Sequence, residues 1–260
     1  MSDPLSSAIV RLHEAGIPDP SNEARRLQAL ADEIGADLLE LAARRATHEP
    51  FSHIAGRRAF WKHEFIVTPD VLDPRPDTET LVEAALSLPF DTVLDLATGT
   101  GCILLSLLAE RGSITGVGSD VSVAALEVAG RNAAKLGVGD RVGFIESDWF
   151  AAIEGRFDLI TANPPYISEA AYGELHPTVQ RFEPRIALTP GGDGLEPYRN
   201  IARAAGAYLA KDGYLLLEIG FDQREAVQNL LRAGGWREIA CIPDLDGRDR
   251  VIRAKAPESA

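Results

Sequence analysis

The chain has 260 residues, 45% hydrophobic and 25% charged, the composition of one large globular domain or of a domain with a small companion, and it excludes a disordered or low-complexity chain. Lys plus Arg number 26 against 39 Asp plus Glu, a formal net charge of −13; that sign disfavours direct nucleic-acid binding through phosphate neutralisation and suits a solvated acidic surface or a basic macromolecular partner. Cys102 and Cys241 stand far apart in apolar stretches, the N-terminal residues do not read as a signal peptide, and no apolar run approaches the roughly 18 residues that cross a bilayer, so a cytoplasmic protein without disulfides or membrane contact is expected.

Residues 4–47 read as short helices, with apolar positions Ile9 and Leu12, then Leu27, Leu30 and Ile34, then Leu38, Leu41 and Ala42 at three- and four-residue spacing. Ser21, two residues before Glu23, reads as the start of the second helix. Residues 1–60 carry nine acids and seven bases, so this arm is no basic extension, and contact with a protein is its expected role. A small helical domain is therefore placed at 1–56. Aromatic and β-branched residues around Phe60, Trp61, Phe65, Ile66 and Val67 predict a short strand or hairpin, which stops at Asp73, Pro74, Arg75, Pro76 and Asp77, because proline fixes φ and denies the preceding residue the helical region. Residues 57–77 form the expected linking hairpin and turn.

From residue 78 to 260 strands and helices alternate: strands over 92–96, 114–119, 142–145, 157–162, 214–219, 239–242 and 250–252, and helices over 102–110, 123–136, 198–209 and 225–233. Such alternation predicts an α/β domain with a mostly parallel sheet and ligands at the carboxyl ends of its strands. Residues 167–195, polar and punctuated by Gly and Pro, are expected to be a long functional loop, ordered or not without substrate.

The first of these strands runs into Ala97, Thr98, Gly99, Thr100 and Gly101, and a helix follows at once. A Gly-rich strand-to-helix turn lets a ligand approach the backbone, and Asp120, 19 residues after Gly101 at the end of the next strand, can accept hydrogen bonds from ribose hydroxyls. A dinucleotide fingerprint would need Gly where Leu104 stands, and no Gly-Lys-Ser or Gly-Lys-Thr occurs. The remaining candidate is a small adenosine compound without phosphates, S-adenosylmethionine. Asp148 is placed to meet an adenine amino group, and Trp149 or Phe150 to cover its ring.

After the strand at 157–162 come Asn163, Pro164, Pro165 and Tyr166. Two prolines stiffen the chain and leave carbonyls without ladder partners. A planar amide NH2 has two donors; the Asn163 side-chain oxygen and the Pro164 carbonyl can accept both while Tyr166 packs on the planar group. Accepting both protons enriches an otherwise feeble amide nucleophile, with no strong base needed. The five histidines show no metal spacing and no Gly-x-Ser-x-Gly elbow occurs, so no metal and no hydrolase chemistry is expected. Glu79 reads either as a pocket residue or as the acid at a helix N-terminus.

These two motifs, flanked by Pro74 to Glu79 upstream and by Arg181-Phe182-Glu183-Pro184, Ala187-Leu188, the Gly191-Gly192-Asp193-Gly194-Leu195 run and Tyr198-Arg199 downstream, resemble the HemK/PrmC family of release factor glutamine methyltransferases over about residues 50–254. The resemblance implies a class I S-adenosylmethionine-dependent methyltransferase fold, Rossmann-like with a seven-stranded sheet, behind an N-terminal helical domain that helps dock the protein substrate. It implies methyl transfer to the side-chain nitrogen of the glutamine in the Gly-Gly-Gln loop of class 1 peptide chain release factors. Ala97, Thr98, Gly99, Thr100, Gly101, Asp120, Trp149 and Asn163 would contact the cofactor, and Asn163, Pro164, Pro165 and Tyr166 would hold the glutamine. A ribosomal-protein glutamine methyltransferase shares both motifs; an adenine N6-methyltransferase shares Asn-Pro-Pro-Tyr but fits the net charge poorly; a non-catalytic cofactor-binding module is supported only by Ala97, which stands where the family has Gly.

Overall fold

The computed structural model describes residues 3–258. Helices α1 (Pro4–Glu14), α2 (Pro20–Ile34) and α3 (Leu38–Ala46) bury Ala8, Leu12, Leu27, Leu30, Leu38 and Leu41 in a core of their own. Each starts on an aspartate cap, and the cap of α2 is Asp19, which accepts from Asn22 N at 3.2 Å, rather than Ser21. Pro20 is the reason: its missing N–H is no loss at the first helical position, so the helix begins one residue before Ser21. A five-residue helix, α4 (Phe51–Ala55), too short to show periodicity, leads into a hairpin of β1 (Arg57–Phe60) and β2 (His63–Ile66). The hairpin thus begins three residues before the aromatic run that announced it.

The hairpin buries Phe60 and Phe65 against α5 (Glu79–Leu86), which the alternation pattern missed, and against α6 (Cys102–Glu110). It is also tied to α7 (Val123–Leu136) by Asn132, whose side chain accepts from Ile66 N at 2.7 Å and donates to Ile66 O and Thr100 O at 3.1 and 3.0 Å. One buried amide therefore joins the linker to the Gly-rich turn.

The remaining strands are β3 (Thr92–Leu96), β4 (Thr115–Asp120), β5 (Val142–Glu146), β6 (Phe157–Ala162), β7 (Leu209–Glu218), β8 (Arg237–Pro243) and β9 (Asp249–Lys255). They form one seven-stranded sheet in the order β5-β4-β3-β6-β7-β9-β8. The first five are parallel, and β9 runs antiparallel to both its neighbours. The order reverses between β3 and β4 on one side and β6 on the other, which is where an open α/β sheet leaves a crevice at its carboxyl edge. Strand β7 starts five residues earlier than its apolar run: Lys211, Asp212 and Gly213 read as a loop but lie within the strand, at an irregularity between Phe157 and Leu159 of β6. Accordingly α11 (Glu196–Ala204) ends sooner than its pattern suggests and is followed by a 3-10 turn, while α12 (Arg224–Ala233) closes the helical set.

Residues 167–195 are not an open loop. They fold into α8 (Glu169–Gly173), α9 (Pro177–Phe182) and α10 (Arg185–Leu188), each started by local chemistry: Ser168 caps the first, Pro177 opens the second, and Pro184 precedes the third. Ile167 N donates to Leu188 O and Glu169 N to Gly192 O, both at 3.0 Å, and close the segment on itself. Among the described residues no helix is long and apolar enough to cross a membrane, and no group of three or more His, Cys, Asp or Glu could hold a metal ion.

Candidate active site

The turn after β3 is wound by alternating left-handed residues: Ala97 at φ 52°, Gly99 at 55° and Gly101 at 78°. Thr98 N donates to Ser119 O at 2.9 Å and Gly101 N returns to Thr98 O at 2.8 Å. Beneath it lies Asp95, fully buried, whose carboxylate accepts from Thr98 Oγ1 at 2.6 Å and Thr161 Oγ1 at 2.7 Å. Burial pushes this carboxyl up to about 6 despite the two hydroxyls that oppose the shift. Asp120 braces the turn from the neighbouring strand, Oδ2 accepting from Gly99 N at 3.0 Å and Oδ1 from Ser122 N at 2.9 Å.

A left-handed alanine costs about 1 kcal/mol relative to glycine, partly offset by the greater freedom glycine gains in the unfolded chain. Ala97→Gly is therefore expected to raise the melting temperature by roughly 1–2 °C without loss of ligand affinity, as a thermal melt and a titration would record. A lower melting temperature would show that the Ala97 methyl makes packing contacts that outweigh its strain.

The turn forms one wall of a cleft of about 440 Å3 at the carboxyl ends of β3, β4 and β6, within the size range of small-molecule sites. Of the residues expected to hold a cofactor, Ala97, Thr98, Gly99, Thr100, Asp120, Asp148, Trp149 and Asn163 line it, as does Pro165. Gly101 does not reach the cleft; it sits where a Cβ would meet Leu105 Cδ1 at 2.9 Å, so its role there is to let α6 start close to the turn. Trp149, half-buried and left-handed at φ 51°, faces the cleft, whereas Phe150 turns into the core and stacks on Tyr208 at 4.8 Å. Glu79 is absent from the cleft: its Oε1 accepts from Trp61 N at 2.7 Å and secures the hairpin.

Pro164 and Tyr166 line a second, smaller cavity of about 180 Å3, together with Leu188 and Glu218. Asn163 borders both cavities. Its Nδ2 donates to Thr78 Oγ1 at 3.3 Å, which leaves Oδ1 free, and no described residue donates to the Pro164 carbonyl. The Tyr166 carbonyl is occupied by Gln223 Nε2 at 2.9 Å, and burial holds the Tyr166 phenol well above its ordinary value, so it is neutral. The two oxygen acceptors required for a planar NH2 thus belong, unpartnered, to residues of the small cavity, and Asn163 borders the large cleft as well.

Several residues of this site carried no signal in the first two motifs. Arg75 borders both cavities and pairs with the buried Glu183 at 2.5 Å, and Pro184, Ile186 and Ala187 at α10 wall the cleft. Gly194 supports the Asn-Pro-Pro-Tyr turn from behind: at φ 77°, its Cβ would fall 2.3 Å from Tyr166 O. Gly194→Ala is expected to push that turn out of place and lower kcat/KM by roughly tenfold or more; unchanged turnover would show that the segment yields freely.

Residues 60–193 match the family described as "Methyltransferase small domain". The chain is 50% identical over 98% of both chains to a release factor glutamine methyltransferase of Cereibacter sphaeroides, and 44% identical to one of Rhodospirillum rubrum over 94% of this chain and 82% of the relative. Among solved structures, a methyltransferase from Pyrococcus furiosus superposes with a TM-score of 0.57 at 17% identity, covering 76% of this chain and 91% of that one, which shows the shared class I methyltransferase fold. With identity of this order over nearly its whole length, the chain belongs to the release factor glutamine methyltransferase family.

Proposed function

We propose that the protein transfers a methyl group from S-adenosylmethionine to the side-chain nitrogen (N5) of the glutamine in the Gly-Gly-Gln loop of class 1 peptide chain release factors. The observation that carries this reading is Asn163, which borders both cavities with its side-chain oxygen free, next to the free Pro164 carbonyl.

The large cleft fits S-adenosylmethionine in its chemistry. Asp120 and Asp148 offer carboxylates to hydroxyl and amino groups, Trp149 offers a ring face, and Gly99 leaves open space where a Cβ would stand. Among the described residues on its lining the one cationic side chain, Arg75, is engaged by Glu183, so a phosphate meets no free cation there. When bound, S-adenosylmethionine supplies an electrophilic methyl carbon on a positively charged sulfur. The glutamine amide belongs to the small cavity, where Asn163 Oδ1 and the Pro164 carbonyl accept its two protons and raise electron density on nitrogen. The stiff Pro164-Pro165 pair holds both acceptors at fixed separation before substrate arrives. Tyr166, neutral and half-buried, presents a flat apolar wall to the planar group.

Residues 1–56 are assigned to substrate docking, 57–77 to the link and 78–260 to catalysis, a division supported by the separate core of α1–α3. A cytoplasmic place of action suits the two free thiols. The test is mass spectrometry of a purified release factor after incubation with the protein and cofactor: one added methyl on the loop glutamine is expected. A methyl on a ribosomal-protein glutamine in its place, or on no glutamine at all, would overturn the assignment.

A further inference from the structure

Thr78 closes the 3-10 turn Pro76–Thr78 that leads into α5, and it is buried between two side chains of the acceptor cavity. Its Oγ1 accepts from Asn163 Nδ2 at 3.3 Å, and its hydroxyl favours the ionised form of the neighbouring Glu218 carboxyl at the carboxyl end of β7. Glu218 is only 2% exposed, lines the small cavity, and its Oε2 has no hydrogen-bond partner among the described residues. Charged and titratable groups face it from the elements packed against it: Arg75 and Asp77 from the turn before α5, Cys102 from the start of α6, Arg250 from β9, Tyr166 after β6 and Tyr198 from α11. The Tyr198 hydroxyl donates to the Glu218 backbone oxygen at 2.9 Å.

A hydroxyl has a single proton, and the charge beside it decides where that proton points. An ionised Glu218 can only accept, so it draws the Thr78 hydroxyl hydrogen to its own side. Thr78 then has only lone pairs for its other neighbour, which selects the NH2 end of Asn163 and turns Oδ1 toward the cavities. The opposite flip would set Oδ1 against a hydroxyl oxygen and offer an NH2 group to the NH2 of the acceptor.

We propose that Thr78 and Glu218 are positioning residues that fix which end of the Asn163 carboxamide meets the acceptor amide; this rests on the role given to Asn163 above. Protonation of Glu218 removes the constraint, because a neutral carboxyl can donate to Thr78 and release the Thr78 proton toward Asn163 Oδ1. Burial raises the Glu218 carboxyl to about 7, against the pull of Thr78 and Arg250. The acceptor is therefore withdrawn as the pH falls through neutrality and restored as it rises.

The experiment uses the full-length protein with saturating cofactor and a release factor as substrate, following kcat and KM from about pH 6 to about pH 8.5 and cofactor affinity by calorimetry. Thr78→Val is expected to lose kcat on the order of 10- to 100-fold while cofactor affinity stays within about threefold, and Thr78→Ser, which restores the hydroxyl, to recover most of the loss. Glu218→Gln, whose NH2 donates toward Thr78, is expected to turn over slowly and to lack the rise in kcat through neutrality that the unmodified protein shows. Wild-type kcat in Thr78→Val, or an unmoved rise in Glu218→Gln, overturns the proposal. Should Thr78→Val fail to bind cofactor or to melt cooperatively, the Glu218→Gln profile alone decides. An unmodified protein that methylates no release factor sinks the functional reading; an active one with unaffected variants sinks only the positioning role.

Discussion

Asn163→Ala is expected to lower kcat by about 100- to 1000-fold while weakening cofactor binding less than tenfold. The asymmetry follows from where the side chain sits. The large cleft has many other contacts to offer a cofactor, from the Ala97 to Thr100 turn, Asp120, Asp148 and Trp149. The small cavity has few polar groups, and Asn163 Oδ1 is the free acceptor among them that also borders the large cleft. An amide nitrogen becomes nucleophilic only as its protons are drawn off, so a preorganised acceptor acts mainly where charge develops; removing one such group costs about 2.7–4 kcal/mol in related settings. Truncation also leaves the buried Thr78 hydroxyl without its Asn163 partner. Single-turnover rates with mass-spectrometric detection, together with a cofactor titration, measure the two quantities separately. Turnover near the unmodified level would mean that the amide is held elsewhere.

The same contrast explains what could be read from the residues before any coordinates. Strands β3 and β6 and helices α6 and α7 coincide with their apolar patterns because both faces of a central parallel strand are covered, so burial alone writes the pattern. Asp120 and Asn163 were legible because strand ends in such a sheet converge on one edge, and the turn chemistry beside them is unusual. The helices of residues 169–188 were not, since four to six residues are too few for periodicity and their starts depend on a serine cap and two prolines that serve loops equally well. Thr78 and Glu218 were invisible for another reason. They meet Asn163 from the turn before α5 and from the end of β7, separations of 85 and 55 residues that only the strand order brings together. Glu218 even lies within an apolar strand run, where a carboxylate reads as an interruption.

Asp120→Ala is expected to weaken cofactor binding by about 100-fold or more and to leave kcat at saturating cofactor within about fivefold, the converse of the Asn163 result. Its carboxylate already accepts from Gly99 N at 3.0 Å and Ser122 N at 2.9 Å, so it shapes the turn before any ligand arrives. Hydrogen bonds to a charged group contribute about 1.5–3 kcal/mol each. Losing one to Gly99 lets the left-handed turn relax, and losing the proposed ribose acceptor removes a second. Together these exceed the 2.7 kcal/mol that corresponds to 100-fold in affinity. Asp120→Asn retains one acceptor oxygen without the charge and is expected to fall between, at roughly tenfold. The acceptor side is untouched, because Asn163 and Pro164 follow β6, Glu218 ends β7, and their hydrogen bonds do not pass through β4. Calorimetric titration of S-adenosylmethionine and its demethylated product into each variant reads the affinity directly. Binding of Asp120→Ala within twofold of the unmodified protein would show that the turn keeps its shape unaided and that the nucleoside is held by Asp148 and Trp149 instead.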